Sequence, residues 1–185
     1  MQFYVALRLL TAPLLATERL VPKSGEILDL GCGFGLFAVL MHIRSSARSV
    51  HGIDLVPRRV DVARQIEPNG SGLDFFAADA RSFPERRFRR IVLIDLLHHV
   101  PFDAQDELLE GVGESLTSGG ILAVKDLETG PFWKYAFHYV QDSAMTGWSR
   151  LTIRSRENMV ARLEKFGLSV EVFHVERFRP HPHIV

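Results

Sequence analysis

Short apolar segments alternate with helical segments along the chain as far as Lys125. The five segments predicted to be strands are Glu26–Leu30, Ser49–Asp54, Leu73–Ala77, Arg90–Asp95 and Ile121–Lys125. The helices predicted to lie among them are Leu36–Ile43, Pro57–Ile66 and Asp103–Leu116. For the last of these, Asp103 is the expected N-cap and Ser118-Gly119-Gly120 the expected stop. This order predicts an α/β protein with a Rossmann-like, mostly parallel sheet and helices on both faces.

The length and composition fit one domain with a substantial core. The chain has 185 residues, of which 46% are hydrophobic and 24% charged. We predict a single domain over 1–185, with an N-terminal helix in 1–22 and an aromatic-rich insertion in 127–150. A helix is also predicted over Ser155–Phe166 and a strand over Leu168–Val175.

The apolar N-terminal segment Phe3–Ala16 has the composition of an edge helix. No basic residue precedes it, and Arg8 and Pro13 interrupt it, so we interpret it as amphipathic and not as a signal peptide or membrane span. Cys32 is the only cysteine, which excludes an intramolecular disulfide. We expect a cytoplasmic protein with no integral membrane association.

A glycine loop, Asp29-Leu30-Gly31-Cys32-Gly33-Phe34-Gly35, joins the first predicted strand to the first predicted helix. Ligands of parallel sheets bind beyond the carboxyl ends of the strands, and glycines there let a ligand approach the backbone. Tight turns also need glycine for purely steric reasons, so the loop alone is weak evidence of a binding site.

Acidic residues accompany four of the predicted strands at the same end of the sheet. They are Asp29, Asp54, Asp79 and Asp95. Asp54 follows Gly35 by 19 residues, a spacing that suits hydrogen bonding to a ribose diol. Asp29 would repel a pyrophosphate but would accept hydrogen bonds from a cationic amino group. S-adenosylmethionine carries an ammonium and a sulfonium and has no phosphate, so the loop favours it over a dinucleotide.

Five segments together resemble the motifs of the class I S-adenosylmethionine-dependent methyltransferase family, in its small-molecule branch. They are Ile27–Gly35, Gly52–Leu55, Ala78–Ala80, Ile94–Pro101 and Leu116–Leu122. The resemblance implies S-adenosylmethionine as the cofactor and methyl transfer to a small acceptor by in-line displacement. The family's sheet ends in an antiparallel seventh strand, and in this chain we expect that strand to be short or missing.

The resemblance also implies roles for individual residues at the cofactor. Gly31, Gly33 and Gly35 would line the methionine portion, with Asp29 near its amino group. Asp54 would bind the ribose hydroxyls, and Leu55 would flank the adenine. Asp79 would meet the adenine amino group, and Ala80 would supply a backbone contact. Asp95 and Leu96 would close the crevice beside the sulfonium.

Three residues are candidates for catalysis: His98, His99 and Asp126. The histidines follow the fourth predicted strand, where an imidazole can accept a proton from a hydroxyl acceptor. Their alternative role is to pack or cap the loop. Asp126, like Glu128, lies just beyond the fifth predicted strand. The aromatic-rich insertion of 127–150 is expected to cover the acceptor site, which suggests an apolar or aromatic acceptor. The alternative is a satellite core or dimer surface.

Other partners receive little support from the sequence. Lysines plus arginines equal aspartates plus glutamates at 22 each, and the arginine cluster 81–90 is interpreted as a solvated turn, so no nucleic acid is expected. His174, His181 and His183 lack the partners of a zinc site, so no metal is expected. The alternatives for function are a non-catalytic S-adenosylmethionine-binding module and a nicotinamide-dependent oxidoreductase. The second is disfavoured because this sequence has neither the third-glycine spacing of a dinucleotide site nor a Tyr-x-x-x-Lys pair. The oligomeric state and the acceptor stay open.

Overall fold

Six strands form one sheet in the order β3-β2-β1-β4-β5-β6 in the computed structural model. The structure describes residues 8, 12–66, 72–81, 87–127, 151–173 and 183–184. The strands are β1 Gly25–Leu30, β2 Arg48–Asp54, β3 Leu73–Ala77, β4 Phe88–Ile94, β5 Leu116–Leu127 and β6 His183–Ile184. The first five run parallel, and β6 pairs antiparallel with the end of β5. The Rossmann-like, mostly parallel sheet is therefore confirmed.

Five helices in the described part of the chain cover the two faces of this sheet. They are α1 Leu14–Leu20, α2 Leu36–Arg44, α3 Pro57–Arg64, α4 Phe102–Ser115 and α5 Arg156–Lys165. The first three share one apolar core with β1, β2, β3 and β4. The other two share a second core on the opposite face. Parallel strands buried on both faces account for the continuous apolar character of β4.

The register brings the carboxyl ends of β1, β2 and β4 to one edge. Leu30 at the end of β1 lies beside Ile53 of β2 and Leu93 of β4. Residues directly after these positions therefore meet at one edge of the sheet. The glycine loop lies there together with Asp54 and Asp95.

A buried ion pair fixes α1 to the sheet. Glu18 on α1 and Arg48 at the start of β2 have fully buried side chains, and Arg48 Nη1 donates to Glu18 Oε1 over 2.5 Å. Arg48 also donates to the carbonyl oxygens of Pro22, Met41 and Val21. One arginine thus satisfies backbone acceptors around the end of α1 and on α2.

Several predicted boundaries and one predicted strand are wrong. Residues 168–173 form no strand: Leu168 and Val170 pack against the second core without regular strand pairing. Helix α4 begins at Phe102 with Pro101 as N-cap, so Asp103 is in the first turn, where its charge favours the helix dipole. The predicted stop at 118–120 is inside β5, because an irregular register between β4 and β5 lets the strand begin at Leu116.

The remaining terminal predictions have mixed outcomes. The antiparallel strand β6 occupies the place of the seventh strand of the resemblance, but the residues on both sides of it are outside the described ones, so its expected shortness stays a prediction. The N-terminal helix is described over Leu14–Leu20, and Ser155 is the N-cap of α5, where its hydroxyl accepts from Asn158 N. Residues 128–150 of the aromatic insertion, together with 174–175 of the predicted strand, are outside the described residues.

Candidate functional site

The glycine loop has a left-handed backbone at each of its glycines. Gly31, Gly33 and Gly35 have φ values of +74°, +57° and +78°, a region that side chains disfavour. The amides of Gly31 and Cys32 both donate to the carbonyl oxygen of Ile53, at 2.8 and 3.0 Å. The sequence therefore uses glycine here because the chain must turn tightly over the end of β2.

Space around the loop differs from one glycine to the next. A Cβ on Gly31 would lie 2.6 Å from the Leu96 side chain, whereas a Cβ on Gly33 would meet no atom within 4 Å. The loop is thus packed against Leu96 on one side and open at Gly33. An open, side-chain-free backbone is what a ligand needs for close approach.

Asp29 is buried next to this opening with an unsatisfied oxygen. Asp29 is only 1% exposed, and its Oδ2 has no hydrogen-bond partner. Burial, reinforced by the neighbouring Asp54 carboxylate, raises the pKa of Asp29 to about 7. A buried carboxylate without a partner is costly, and a cationic amino group would satisfy it. The residues present thus fit the ammonium of S-adenosylmethionine.

Asp54 binds the loop backbone in addition to any ligand. Its Oδ2 accepts from Gly33 N and its Oδ1 from Val56 N, both at 2.9 Å. Each carboxylate oxygen can accept a second hydrogen bond, so Asp54 can hold the loop and still bind a ribose hydroxyl. Leu55, beside it, is 69% exposed at the edge where the resemblance puts the adenine.

Asp79 forms a local ion pair with a residue two positions later. Its Oδ2 lies 2.6 Å from Arg81 Nη2, and hydrogen bonds from the side chain and backbone of Arg81 lower the pKa of Asp79. Ala80 packs against the second core. The adenine contacts that the resemblance implies for Asp79 and Ala80 stay predictions.

Asp95 follows β4 with a left-handed backbone and is bound by two cations. Its φ is +54°, unusual for a residue with a side chain. Lys125 of β5, whose side chain is fully buried, pairs with Oδ1, and Arg8 pairs with Oδ2. Sequence reasoning missed both cations. A lysine inside an apolar strand was the only available signal, because a buried ammonium needs a carboxylate.

His98 and Asp126 form a buried hydrogen-bonded pair. His98 Nδ1 lies 2.5 Å from Asp126 Oδ1, and Asp126 Oδ2 accepts from Leu97 N at 2.7 Å. Although burial alone raises the pKa of Asp126, the charge and hydrogen bond of His98 lower it overall. His99, the third candidate, is exposed, with its ring centroid 4.1 Å from that of His98.

Asp95, His98 and Asp126 place one possible metal-ligating atom each within 4.8 Å of one another. Lys125 and Arg8 already oppose the charge of Asp95, and His98 Nδ1 already binds Asp126. The cluster is thus stabilised by its own cations and hydrogen bonds.

A cavity of about 830 Å³ lies elsewhere, along β5 and α5. It is lined by residues such as Leu122, Val124, Met159 and Phe173, and also by Asp126. No glycine-loop residue lines it. The sheet edge that carries the glycine loop, Asp29 and Asp54 is therefore distinct from this cavity.

Comparison with known proteins decides the family. The family model described as "Methyltransferase domain" matches residues 27–120, which include the glycine loop and the His98 turn. The chain belongs to this methyltransferase family. Among the described residues of this methyltransferase domain, no helix is long and apolar enough to cross a bilayer.

Individual relatives resemble parts of the methyltransferase domain. A trans-aconitate 2-methyltransferase from Streptomyces coelicolor is 39% identical over 104 residues, which are 54% of this chain and 34% of the relative. An S-adenosylmethionine-dependent methyltransferase from Mesorhizobium loti is 25% identical with a TM-score of 0.68, covering 90% of this chain and 84% of that chain. An O-methyltransferase family protein from Burkholderia thailandensis has a TM-score of 0.76 at 18% identity, covering 97% of this chain and 55% of that chain. The chain thus spans about a third of the length of the Streptomyces relative.

Proposed function

We propose that this domain binds S-adenosylmethionine and transfers its methyl group to a small acceptor. The observation that carries the proposal is the buried carboxylate of Asp29, whose Oδ2 has no hydrogen-bond partner, together with the open backbone of Gly33. A non-catalytic binding module or an oxidoreductase gains no further support from the site.

The chain's own residues would bind and orient the cofactor. Asp29 would accept from the ammonium, Asp54 would accept from the ribose, and the glycine loop would line the methionine portion. When bound, S-adenosylmethionine supplies a methyl group activated by the sulfonium. Aligning donor and acceptor for in-line displacement contributes up to about 7–11 kcal/mol in favourable cases, so positioning is the main task of these residues.

His98 is the best-placed group to remove a proton from a hydroxyl acceptor. Because Nδ1 donates to the Asp126 carboxylate, the neutral imidazole carries its lone pair on Nε2. Asp126 would stabilise the imidazolium that forms on proton transfer. His99 stays the alternative base, and its exposure is the argument for testing it separately.

Two acceptor classes follow from different observations. The aromatic residues of 127–150 predict an apolar or aromatic body on the acceptor. The Streptomyces relative is named for trans-aconitate, a carboxylate. A carboxylate is already deprotonated and needs no base, whereas a phenol or alcohol would need His98.

Calorimetry with S-adenosylmethionine and S-adenosylhomocysteine tests the cofactor. Both should bind, and Asp29→Asn should weaken binding about 10- to 100-fold because it removes a charged hydrogen bond. Asp61→Asn is the matched control, since Asp61 is on the exposed face of α3. Absence of binding by the wild-type protein, or equal affinity of the Asp29 variant, would contradict the proposal.

Methyl transfer from labelled S-adenosylmethionine to a panel of small carboxylates and phenols tests the chemistry. For a phenol, His98→Asn should slow turnover by about 10²–10⁴-fold, the usual contribution of a general base. For a carboxylate such as trans-aconitate, the same variant should stay within a few-fold of wild type. His99→Asn serves as the comparison, and a larger loss with His99 would transfer the assignment to that residue.

A further inference from the structure

The turn that carries His98 is held by hydrogen bonds from three other parts of the chain. It is a 3₁₀ turn over Leu97–His99. Asp126 of β5 accepts from the amide of Leu97, Gln105 of α4 donates to the Leu97 carbonyl, and Thr152 N donates to the His98 carbonyl over 2.8 Å. The first of these hydrogen bonds comes from the sheet, and the other two come from outside it.

Gln105 contacts both the His98 turn and the segment that contains Thr152. Its residue is 1% exposed, which is rare for a glutamine unless its amide is satisfied. Nε2 lies within hydrogen-bond distance of three carbonyl oxygens: Leu97 at 2.7 Å, Val100 at 2.9 Å and Thr152 at 2.9 Å. Gln105 therefore ties the two ends of the His98 turn to the segment that contains Thr152.

Arg154 fixes the orientation of the Gln105 amide. Arg154 Nε donates to Gln105 Oε1 over 2.6 Å, which directs the NH₂ group toward the three carbonyls. The guanidinium itself is held by Asp106 Oδ1 at 2.9 Å, by the Phe102 carbonyl at 2.7 Å and by the face of the Phe102 ring. Its side chain is only 6% exposed, so solvent screens these contacts weakly.

This network of hydrogen bonds joins two segments that are distant in the sequence. Residues 151–154 come directly after the aromatic insertion that is expected to cover the acceptor site. The His98 turn follows β4, at the same edge of the sheet as the glycine loop. Gln105 joins these two parts of the molecule within one buried set of hydrogen bonds.

We propose that Gln105 is a positioning residue for His98, acting through the Leu97–Val100 backbone and oriented by Arg154. Seating of residues 151–154 against α4 fixes the His98 turn and so maintains the geometry of the His98–Asp126 hydrogen bond. The inference rests on the role proposed above for His98, but its test does not require an acceptor.

Nuclear magnetic resonance of the full chain, ¹⁵N-labelled at histidine, tests the proposal. The Nδ1–H proton of His98 is identified by its loss in His98→Asn and is expected far downfield because it is bonded to a carboxylate. In Gln105→Leu, which keeps the volume but removes the amide, this signal should broaden or disappear. Arg162→Ala is the matched control. Arg162 pairs with Asp106, the neighbour of Gln105 on α4, whereas the hydrogen bond to Gln105 comes from Arg154.

Arg154→Lys provides a second variant if Gln105→Leu does not fold. It keeps the cation near Asp106 but removes the guanidinium bond to Gln105, and it should shift the His98 signal in the same direction. A His98 Nδ1–H signal unchanged from wild type in the folded variants would overturn the proposal. S-adenosylhomocysteine affinity is measured in parallel: its absence in the wild type refutes the proposed function, whereas the His98 signal decides the role of Gln105.

Discussion

At the scale of single residues, the site combines groups that are costly without a ligand. Asp29 is buried beside Asp54 with one oxygen unsatisfied, and Asp95 adopts a backbone conformation that side chains disfavour. Such features reduce the stability of the protein alone and persist where they serve binding. The cost of Asp29 in particular is expected to depend on pH.

Cofactor affinity should depend on the protonation of Asp29. Its pKa is raised to about 7, so the carboxyl is neutral below that pH and ionised above it. Because only the ionised form pairs with an ammonium, S-adenosylhomocysteine affinity should fall by up to about tenfold per pH unit below 7. Calorimetry between pH 5.5 and 8 measures this slope. Asp29→Asn should abolish it, and an equally steep slope in that variant would assign the effect elsewhere.

The same carboxyl should destabilise the ligand-free protein at alkaline pH. Folding raises the pKa of Asp29, so the folded state disfavours the ionised form, and the penalty is complete above about pH 7. Asp29→Asn should therefore raise Tm at pH 8 and have less effect at pH 5. Thermal unfolding without ligand at the two pH values checks this, and a lower Tm at pH 8 would contradict it.

Substitution of the loop glycines should separate packing from backbone strain. Gly31→Ala meets the Leu96 side chain as well as a positive φ, whereas Gly33→Ala meets only the positive φ, which costs about 1–2 kcal/mol. Urea unfolding should show the larger loss for Gly31→Ala. Gly33→Ala should nevertheless weaken S-adenosylmethionine binding, because its methyl group projects into the open space assigned to the cofactor.

At the scale of elements, α1 depends on one buried ion pair more than on its own helical propensity. The helix has seven residues, shorter than helices that are stable alone, and its Glu18 is fully enclosed with Arg48. Although burial raises the pKa of Glu18, hydrogen bonds from Lys23 and Arg48 lower it overall. The stability from Glu18 is therefore present near neutral pH and is lost as the pH falls through its lowered pKa.

Removing the buried cation Arg48 should lower the free energy of unfolding much more than removing the half-exposed cation Arg44. Arg48→Met leaves Glu18 buried without its main cation and should cost about 3–5 kcal/mol of unfolding free energy. Arg44→Met removes a half-exposed guanidinium 3.5 Å from the same carboxylate and should cost less than about 1 kcal/mol. Urea unfolding at pH 7 measures both, and similar losses in the two variants would contradict the assignment.

Elements with strong local patterns were predictable, and contacts between distant residues were not. The short apolar segments between helical segments predicted β1 to β4 within one or two residues at each end, and the glycine loop predicted the turn after β1. In contrast, no local pattern connects Arg48 with Glu18, Lys125 with Asp95, or Gln105 with the His98 turn. Residues 168–173 have the alternation of a strand, but regular strand structure also requires a paired neighbour.

At the scale of the whole molecule, β1 is one of the two central strands of the sheet. It pairs with β2 on one side and β4 on the other, and helices cover both faces. Residues 168–173 contribute side chains to the second core without regular strand structure. Resistance to local opening should therefore decrease from β1 outward.

Hydrogen–deuterium exchange should reveal this gradient. Amides of Leu28 and Leu30 should exchange most slowly, at rates set by global unfolding, whereas amides of 168–173 should exchange orders of magnitude faster. Mass spectrometry of peptides covering β1 and 168–173 measures the ratio. Equal protection would show that 168–173 is stabilised as strongly as the central strand.

Leu96 lies between the glycine loop and the His98 turn. It immediately precedes the His98 turn, and its side chain occupies the space that any side chain at Gly31 would need. A methyl donor that displaces the loop would therefore also displace Leu96, which adjoins the turn proposed to face the acceptor. We expect the donor and the acceptor to bind in a preferred order, because movement of Leu96 when the first binds would change the site of the second.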